Sequence, residues 1–317
     1  MRQGWLCLLL AAVLPAPVLS LTPFAEVLIP SFDHPIFCEP AEFGTFRRVA
    51  QSKLGVSEPP PRMFGNRENE PRNPSWTNGN WLKSRFHFSF AEYHNMNNQN
   101  FGVLRVMNDD LVQPMRGFGT HGHRDAEICT YIVNGALTHA DSMGTDETIT
   151  DGAIQFMTAG SGVSHSEHNK SALPLRFVQM WLTPRSRGLP PNYGSSAGSK
   201  AARTNAWHHM VSDVRNTAVA TEIKINVDAN IFVAELERGA TDLELQVAAG
   251  RQAYLLVIDG VTAVTDQHDG AVCSGVSLER HDAAEIVGPV GVTFSGPTHL
   301  LVVEMAHDPR SDGRGDL

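Results

Sequence analysis

The stretch Gly117-Phe118-Gly119-Thr120-His121-Gly122-His123-Arg124-Asp125-Ala126-Glu127 sets two histidines, His121 and His123, two positions apart. Residues two apart on a strand point to the same face, so the pair presents two imidazoles side by side, half of a metal site. Gly122 between them keeps the backbone uncrowded. Forty-two residues after His123, the stretch Gly160-Ser161-Gly162-Val163-Ser164-His165-Ser166-Glu167-His168-Asn169 repeats the spacing with His165 and Glu167. Apolar runs and the turns Asn134-Gly135, Met143-Gly144-Thr145 and Asp151-Gly152 lie between. That is enough chain for strands to leave and return beside the first pair. Two same-face pairs on neighbouring barrel strands can converge on one ion. Three imidazoles and a carboxylate form a mixed N/O set suited to iron, manganese, nickel, copper or zinc. A six-coordinate ion held by these four keeps two positions for water, a substrate oxygen or dioxygen.

The surrounding sequence predicts strands. Phe86, Phe88 and Phe90 alternate with His87 and Ser89, a period of two. Short apolar runs at 101–106, 126–133, 153–157 and 175–182 recur between turn signals, as in an antiparallel sandwich or barrel. A Pro/Gly-rich stretch, 184–199, separates them from a second series of runs at 222–227, 231–236, 243–247, 253–258, 261–264 and 299–305. The chain of 317 residues is long enough for about two domains. The expected organisation is a signal peptide at 1–20 and a partly irregular extension at 21–78 lying on the first domain. A metal-binding β domain at 79–195, a linker at 196–203, a metal-free β domain at 204–306 and a flexible tail at 307–317 follow. Aligning the Asp259-Gly260 turn with Asn134-Gly135 sets Gln246 and Ala248 where the first domain has its histidine pair. His268, His281 and His299 then read as isolated turn or edge residues.

Composition narrows the function. Lys plus Arg is 25 and Asp plus Glu is 34, a net charge of −9, which argues against direct nucleic-acid binding because that needs a basic face. The start, Met1-Arg2-Gln3-Gly4 followed by an apolar run ending at Pro15, is too short to span a bilayer and fits a secretory or organelle signal. The mature chain is then expected to be soluble, in the secretory pathway or an organelle, or in cytoplasm or nucleus if that start is not a signal. Of four cysteines, Cys7 would leave with the signal. Cys38, Cys129 and Cys273 then form no disulfide framework. Asn169-Lys170-Ser171 is a glycosylation sequon, two residues from Glu167, and Arg314-Gly315-Asp316 matches an adhesion tripeptide.

From Trp81 and Phe88-Ser89-Phe90 the chain continues through 101–110, Gly117-Phe118-Gly119-Thr120-His121 and Thr138-His139-Ala140-Asp141-Ser142-Met143-Gly144. It then runs through 157–167 to Gln179-Met180-Trp181. This series resembles the cupin superfamily and, closely, the pirin family. The resemblance is dense over 79–195 and looser over 204–306. It implies an all-β bicupin, two antiparallel β-barrel (jelly-roll) domains packed together. The first would hold one divalent metal ion, Fe(2+) before Cu, Mn, Co or Ni, on His121, His123, His165 and Glu167. Thr158 in place of the proline of many cupins, and four residues between Gly160 and His165, both look like the pirin variant.

Pirin-like proteins include quercetin 2,3-dioxygenases, so the resemblance implies an oxygenase that opens a flavonol or similar aromatic substrate with O2. Glu167 would serve as catalytic base as well as ligand. Met107, Phe118, Phe156, Met157 and Met180 line either an apolar substrate wall or plain barrel core. The family also includes non-catalytic, iron-dependent co-regulators that bind a transcription factor, so a protein-binding co-regulator or a metal-binding stress protein is the alternative. Glu127, four residues after His123, is a rival carboxylate on strand parity. His168 is expected on the opposite face from Glu167, and His139 is either structural or pocket-lining.

Overall fold

The computed structural model describes residues 45–66, 80–268 and 271–309. The expected signal peptide, Cys38, the tail tripeptide and much of the N-terminal extension lie outside them. No described helix is long and apolar enough to cross a membrane.

Among the described residues, the regular structure is nearly all strand. It begins with β1 (Thr45–Val49) and β2 (Gly55–Ser57). There follow β3 (Leu82–Phe86), β4 (Leu104–Val112), β5 (Arg116–His123), β6 (Glu127–Asn134), β7 (Ala136–Asp141), β8 (Asp146–Thr150), β9 (Ile154–Thr158), β10 (Val163–Asn169), β11 (Leu175–Leu182) and β12 (Asn192–Ser196). After one helical turn, Lys200–Arg203, come β13 (His208–Asp213), β14 (Ile223–Ile225), β15 (Ala229–Leu236), β16 (Leu243–Val247), β17 (Arg251–His268), β18 (Ala271–Glu279), β19 (Ala283–Val287), β20 (Val290–Ser295) and β21 (Thr298–Ala306).

The first lobe closes a seven-stranded sheet, β12-β9-β6-β11-β4-β3-β2, against a four-stranded one, β5-β10-β7-β8. The second lobe is a ten-stranded sheet running β1-β19-β17-β21-β15-β13-β14, with β16, β18 and β20 joined through β17. The N-terminal extension therefore serves both lobes: β2 pairs with β3, but β1 pairs with β19 of the second lobe.

Period-two alternation sets two faces on the large sheet of the first lobe. Met107, Cys129, Tyr131, Val178 and Met180 point outward and join Val211, Ile231, Tyr254, Leu256 and Leu301 in a core between the lobes. The inward residues form layers. Ile132, Leu137, Phe177 and Trp81 pack at one end, and Ile128, Met157 and Val163 pack at the other, with Trp181 beside them. Strand by strand, the position between those ends is polar: Thr130 on β6, Gln155 on β9 and Gln179 on β11, the first two buried. The apolar runs of the sequence thus hide a polar belt inside the barrel.

Asp110 belongs to that interior, and the Ser84 hydroxyl donates to its Oδ1. Burial, with smaller contributions from Asp109 and Glu167, pushes its carboxyl up to about 8 against the hydrogen bond from Ser84. In the unfolded chain an aspartate ionises near 3.9. The folded state therefore loses stability as pH rises from about 4 to about 8. Asp110→Asn keeps the Ser84 contact without the ionisation. It is expected to raise the unfolding midpoint at pH 8 by at least about 2–4 °C and to leave it unchanged at pH 4. Thermal scans at the two pH values check this, and an equal shift at both would refute it.

Candidate metal centre

β5 and β10 pair antiparallel with His165 directly across from His121 and Val163 across from His123. A bulge after His165 moves Glu167 opposite Phe118. Gly160, before β10, has φ +45°, and a Cβ there would meet the Leu189 carbonyl oxygen at 1.9 Å, so this turn requires glycine. Gly122 is different: an added Cβ would meet only ordinary contacts at 3.8 Å, so crowding does not explain it.

The ring centroids of His121, His123 and His165 lie 4.6–4.8 Å apart, and one ligand nitrogen from each falls within 4.8 Å of the others. Glu167 falls in a second group of the same kind, with His139 and His165. Burial, then the neighbouring imidazoles, lowers His123 and His165 to about 3 each, so both rings are neutral over the physiological range. His121 Nδ1–H donates to the Gly119 carbonyl (2.8 Å), so Nε2 is the nitrogen left to face an ion. His165 Nε2 is buried with no hydrogen-bond partner. An orphaned, buried imidazole nitrogen beside two further imidazoles fits a divalent first-row cation.

The Glu167 carboxylate is 2 % exposed. Gln155 Nε2 donates to its Oε1 and Gln179 Nε2 to its Oε2, each at 2.8 Å. Each amide is held in turn. Trp181 Nε1 donates to Gln179 Oε1 (3.1 Å). The Tyr193 hydroxyl sits 3.1 Å from Gln155 Oε1 and 2.8 Å from Glu147 Oε2. Gln155, Gln179 and Tyr193 escaped the sequence reading. Each glutamine sits inside an apolar run, where parity alone does not tell a polar belt from a solvent face.

His139 is fully buried, with Nε2 3.0 Å from Asp141 Oδ2 and Nδ1 3.4 Å from His165 Nδ1. Its ring stacks on Tyr193 at 4.5 Å. The Asp141 carboxyl sits below its usual range. Burial alone would raise it, but the hydrogen bonds from His139 and from the N–H groups of Thr145 and Met143 prevail.

The rival Glu127 points away from the histidines. The chain turns at Asp125, in the left-handed region (φ +52°), so β6 enters the other sheet and strand parity with His123 does not carry across. Thr158 Oγ1 donates to Glu127 at 3.0 Å and Asn226 Nδ2 of the second lobe at 3.2 Å. Burial raises its carboxyl. His168 faces opposite to Glu167, packed over Gly117. Asn169 is 1 % exposed and its amide donates to Leu173, Gln113 and Val112 carbonyls, so the sequon is closed to a glycan in the folded chain.

Of the five apolar wall candidates, Met107, Phe156 and Met180 belong to the core between the lobes, because their parity is opposite to the polar belt. The rings beside the histidines are instead Trp181, edge-on to His123 at 4.7 Å, and Phe64, edge-on to His121 at 5.6 Å. Phe64 comes from the N-terminal extension, and Asn66 anchors that segment to β5 through two hydrogen bonds with Gly117, each 2.9 Å. An open cleft of about 390 Å³ borders His123, Arg124, Ser142 and Gly162.

In the second lobe, Gln246 and Ala248 are exposed. The interior there is apolar, with Leu255, Val257, Val292 and Phe294. His281 does lie in a turn, before β19, but neither it nor His299 is isolated. They reach Asp109 (2.7 Å) and the Tyr131 hydroxyl (3.0 Å) of the first lobe.

The same architecture recurs in known proteins. The family model described as Pirin matches residues 68–182, and that described as Quercetinase C-terminal cupin domain matches 214–305. A pirin-like protein of Caulobacter vibrioides is 36% identical over 228 residues, 71% of this chain and 93% of its own. A quercetin 2,3-dioxygenase of Escherichia coli is 35% identical over 210 residues, 66% of this chain and 87% of its own. Among solved structures, the bacterial pirin YhhW of Escherichia coli in complex with nickel(II) superposes with a TM-score of 0.66 and 26% identity. That match covers 83% of this chain and 100% of the other. The paired β lobes, the histidine cluster between β5 and β10, and these matches make the chain a bicupin that belongs to the pirin family.

Proposed function

We propose that this chain is a metal-dependent oxygenase of the quercetin 2,3-dioxygenase type, opening a flavonol or a similar aromatic substrate with O2. His121, His123, His165 and Glu167 would hold one divalent cation, Fe(2+) before Cu, Mn, Co or Ni. The observation that carries this reading is the gathering of the His121, His123 and His165 imidazoles, one ligand nitrogen of each within 4.8 Å of the others, with His165 Nε2 buried and partnerless. The dioxygenase and pirin names of the relatives support it. When bound, the cation supplies Lewis-acid charge that makes a flavonol hydroxyl easier to ionise.

The chain's own residues do the rest. Glu167 takes the proton of that hydroxyl. Each of its oxygens spends one lone pair on a glutamine amide and keeps another free. Gln155 and Gln179 fix the plane of the carboxylate so that the proton is taken from a set direction. Trp181 and Phe64 flank the histidines with apolar edges that suit a flat ring system. One flavonol and one dioxygen then give one ring-opened ester and one carbon monoxide.

The deciding experiment incubates the Fe(2+)-loaded chain with quercetin in air, following its visible band and carbon monoxide release. Turnover is expected, and His121→Ala is expected to lose both bound metal and turnover. No turnover above a metal-free control overturns the oxygenase reading in favour of a non-catalytic metal-binding protein.

A further inference from the structure

The three histidines are not held alike. His121 is oriented by a backbone carbonyl. His165 is oriented by a second imidazole, which is itself oriented by a carboxylate. Asp141 is an acceptor when ionised, so the His139 nitrogen facing it, Nε2, carries the proton. In the neutral His139 ring that leaves Nδ1 as the lone pair. The atom it faces, His165 Nδ1, then carries the proton between the rings, and His165 Nε2 is bare. This is the nitrogen that is buried without a partner.

We infer that Asp141 and His139 are positioning residues that fix the tautomer of His165, so that its Nε2 is presented as a metal ligand. The inference rests on the metal-site reading above and adds a relay of two residues behind one ligand. Tyr193, stacked on His139, keeps that ring from turning. Groups outside a ligand that set its tautomer and orientation typically change metal affinity 10–100-fold.

Asp141→Asn tests it with little change of shape. Asp141 Oδ1 accepts the N–H groups of Met143 (2.8 Å) and Thr145 (3.1 Å). An asparagine keeps those bonds only with its oxygen in that place, and this aims its NH2 at His139 Nε2. The direction of every bond in the relay then reverses: His139 Nδ1 takes the proton, and His165 must carry its own on Nε2. His139→Gln serves as the rescue. Its carbonyl can accept from His165 while its amide donates to Asp141, which preserves the original direction.

Zn(II) alone is titrated into each full-length chain, and the tautomer of His165 is read from ring nitrogen–proton correlations in the 15N-labelled protein. The unaltered chain is expected to show the proton on Nδ1. Asp141→Asn is expected to move it to Nε2 and to weaken Zn(II) binding about 10–100-fold, and His139→Gln to lose less than Asp141→Asn does. Should Asp141→Asn fail to fold, His139→Gln is compared with His139→Leu, which breaks the relay. An unmoved tautomer, an unchanged affinity in Asp141→Asn, or equal losses in the broken and rescued variants overturns the relay. If the unaltered chain and His121→Ala bind Zn(II) equally, the metal-site reading itself falls, a result distinct from failure of the relay.

Discussion

Arg176→Ala is expected to lower the free energy of unfolding by about 3–5 kcal/mol. Arg176 meets Asp109 in a two-point ion pair, Nε to Oδ1 at 2.8 Å and Nη2 to Oδ2 at 2.7 Å. Nη2 also donates to the Ile258 carbonyl of the second lobe (2.7 Å). Asp109 is 1 % exposed, so removing the guanidinium strands a carboxylate away from water, with His281 as its remaining partner in the knot. Burial alone would raise the Asp109 carboxyl, but the charge and hydrogen bonds of Arg176 and His281 hold it well below the usual range. A depressed carboxylate stabilises the fold above its ordinary pKa, and that stability is lost as pH falls toward the folded value. Urea unfolding at pH 7 and again near pH 3 measures both effects. The variant is expected to be weaker at pH 7 and less steeply sensitive to acid. A loss below about 1 kcal/mol would mean that the pair behaves like an exposed one.

Glu167→Gln is expected to cut quercetin turnover by about 10²–10⁴-fold, the usual contribution of a positioned base. It also sets a third amide between Gln155 and Gln179. One amide N–H then faces another unless a neighbour turns over, and turning Gln179 gives up its bond from Trp181 Nε1. A stranded buried donor costs about 1–3 kcal/mol. Turnover per bound metal, measured by rapid mixing, separates the chemical loss from the structural one. Turnover within tenfold of the unaltered enzyme would remove Glu167 from the proton transfer.

Same-face spacing on β5 was legible for His121 and His123, which gather with His165 of β10 in one cluster, because i, i+2 parity holds along a strand whatever its partners. The same rule failed from His123 to Glu127, where the turn at Asp125 ends one strand and starts another. It also hid Gln155 and Gln179, since a polar residue inside an apolar run has the same parity whether it faces a belt of its own kind or solvent. The expectation that His281 and His299 are isolated failed for a different reason. Their partners, Asp109 and Tyr131, are 172 and 168 residues away, and no local pattern announces such contacts. The cupin-like lobes were legible because alternation and turn spacing are local; the seam between them was not.

The pairing of β1 with β19 has a consequence for biosynthesis. Arg47 reaches Glu285 across 238 residues of chain, so this strand leaves the ribosome long before its partner exists. During that interval it is an unpaired ribbon, and until it docks the late-made sheet shows a bare edge of the sort that recruits neighbours into aggregates. Severing the backbone between residues 57 and 80 would therefore not yield two self-sufficient proteins. The short fragment would carry away the hem that the long fragment needs, and adding it back in trans should restore solubility.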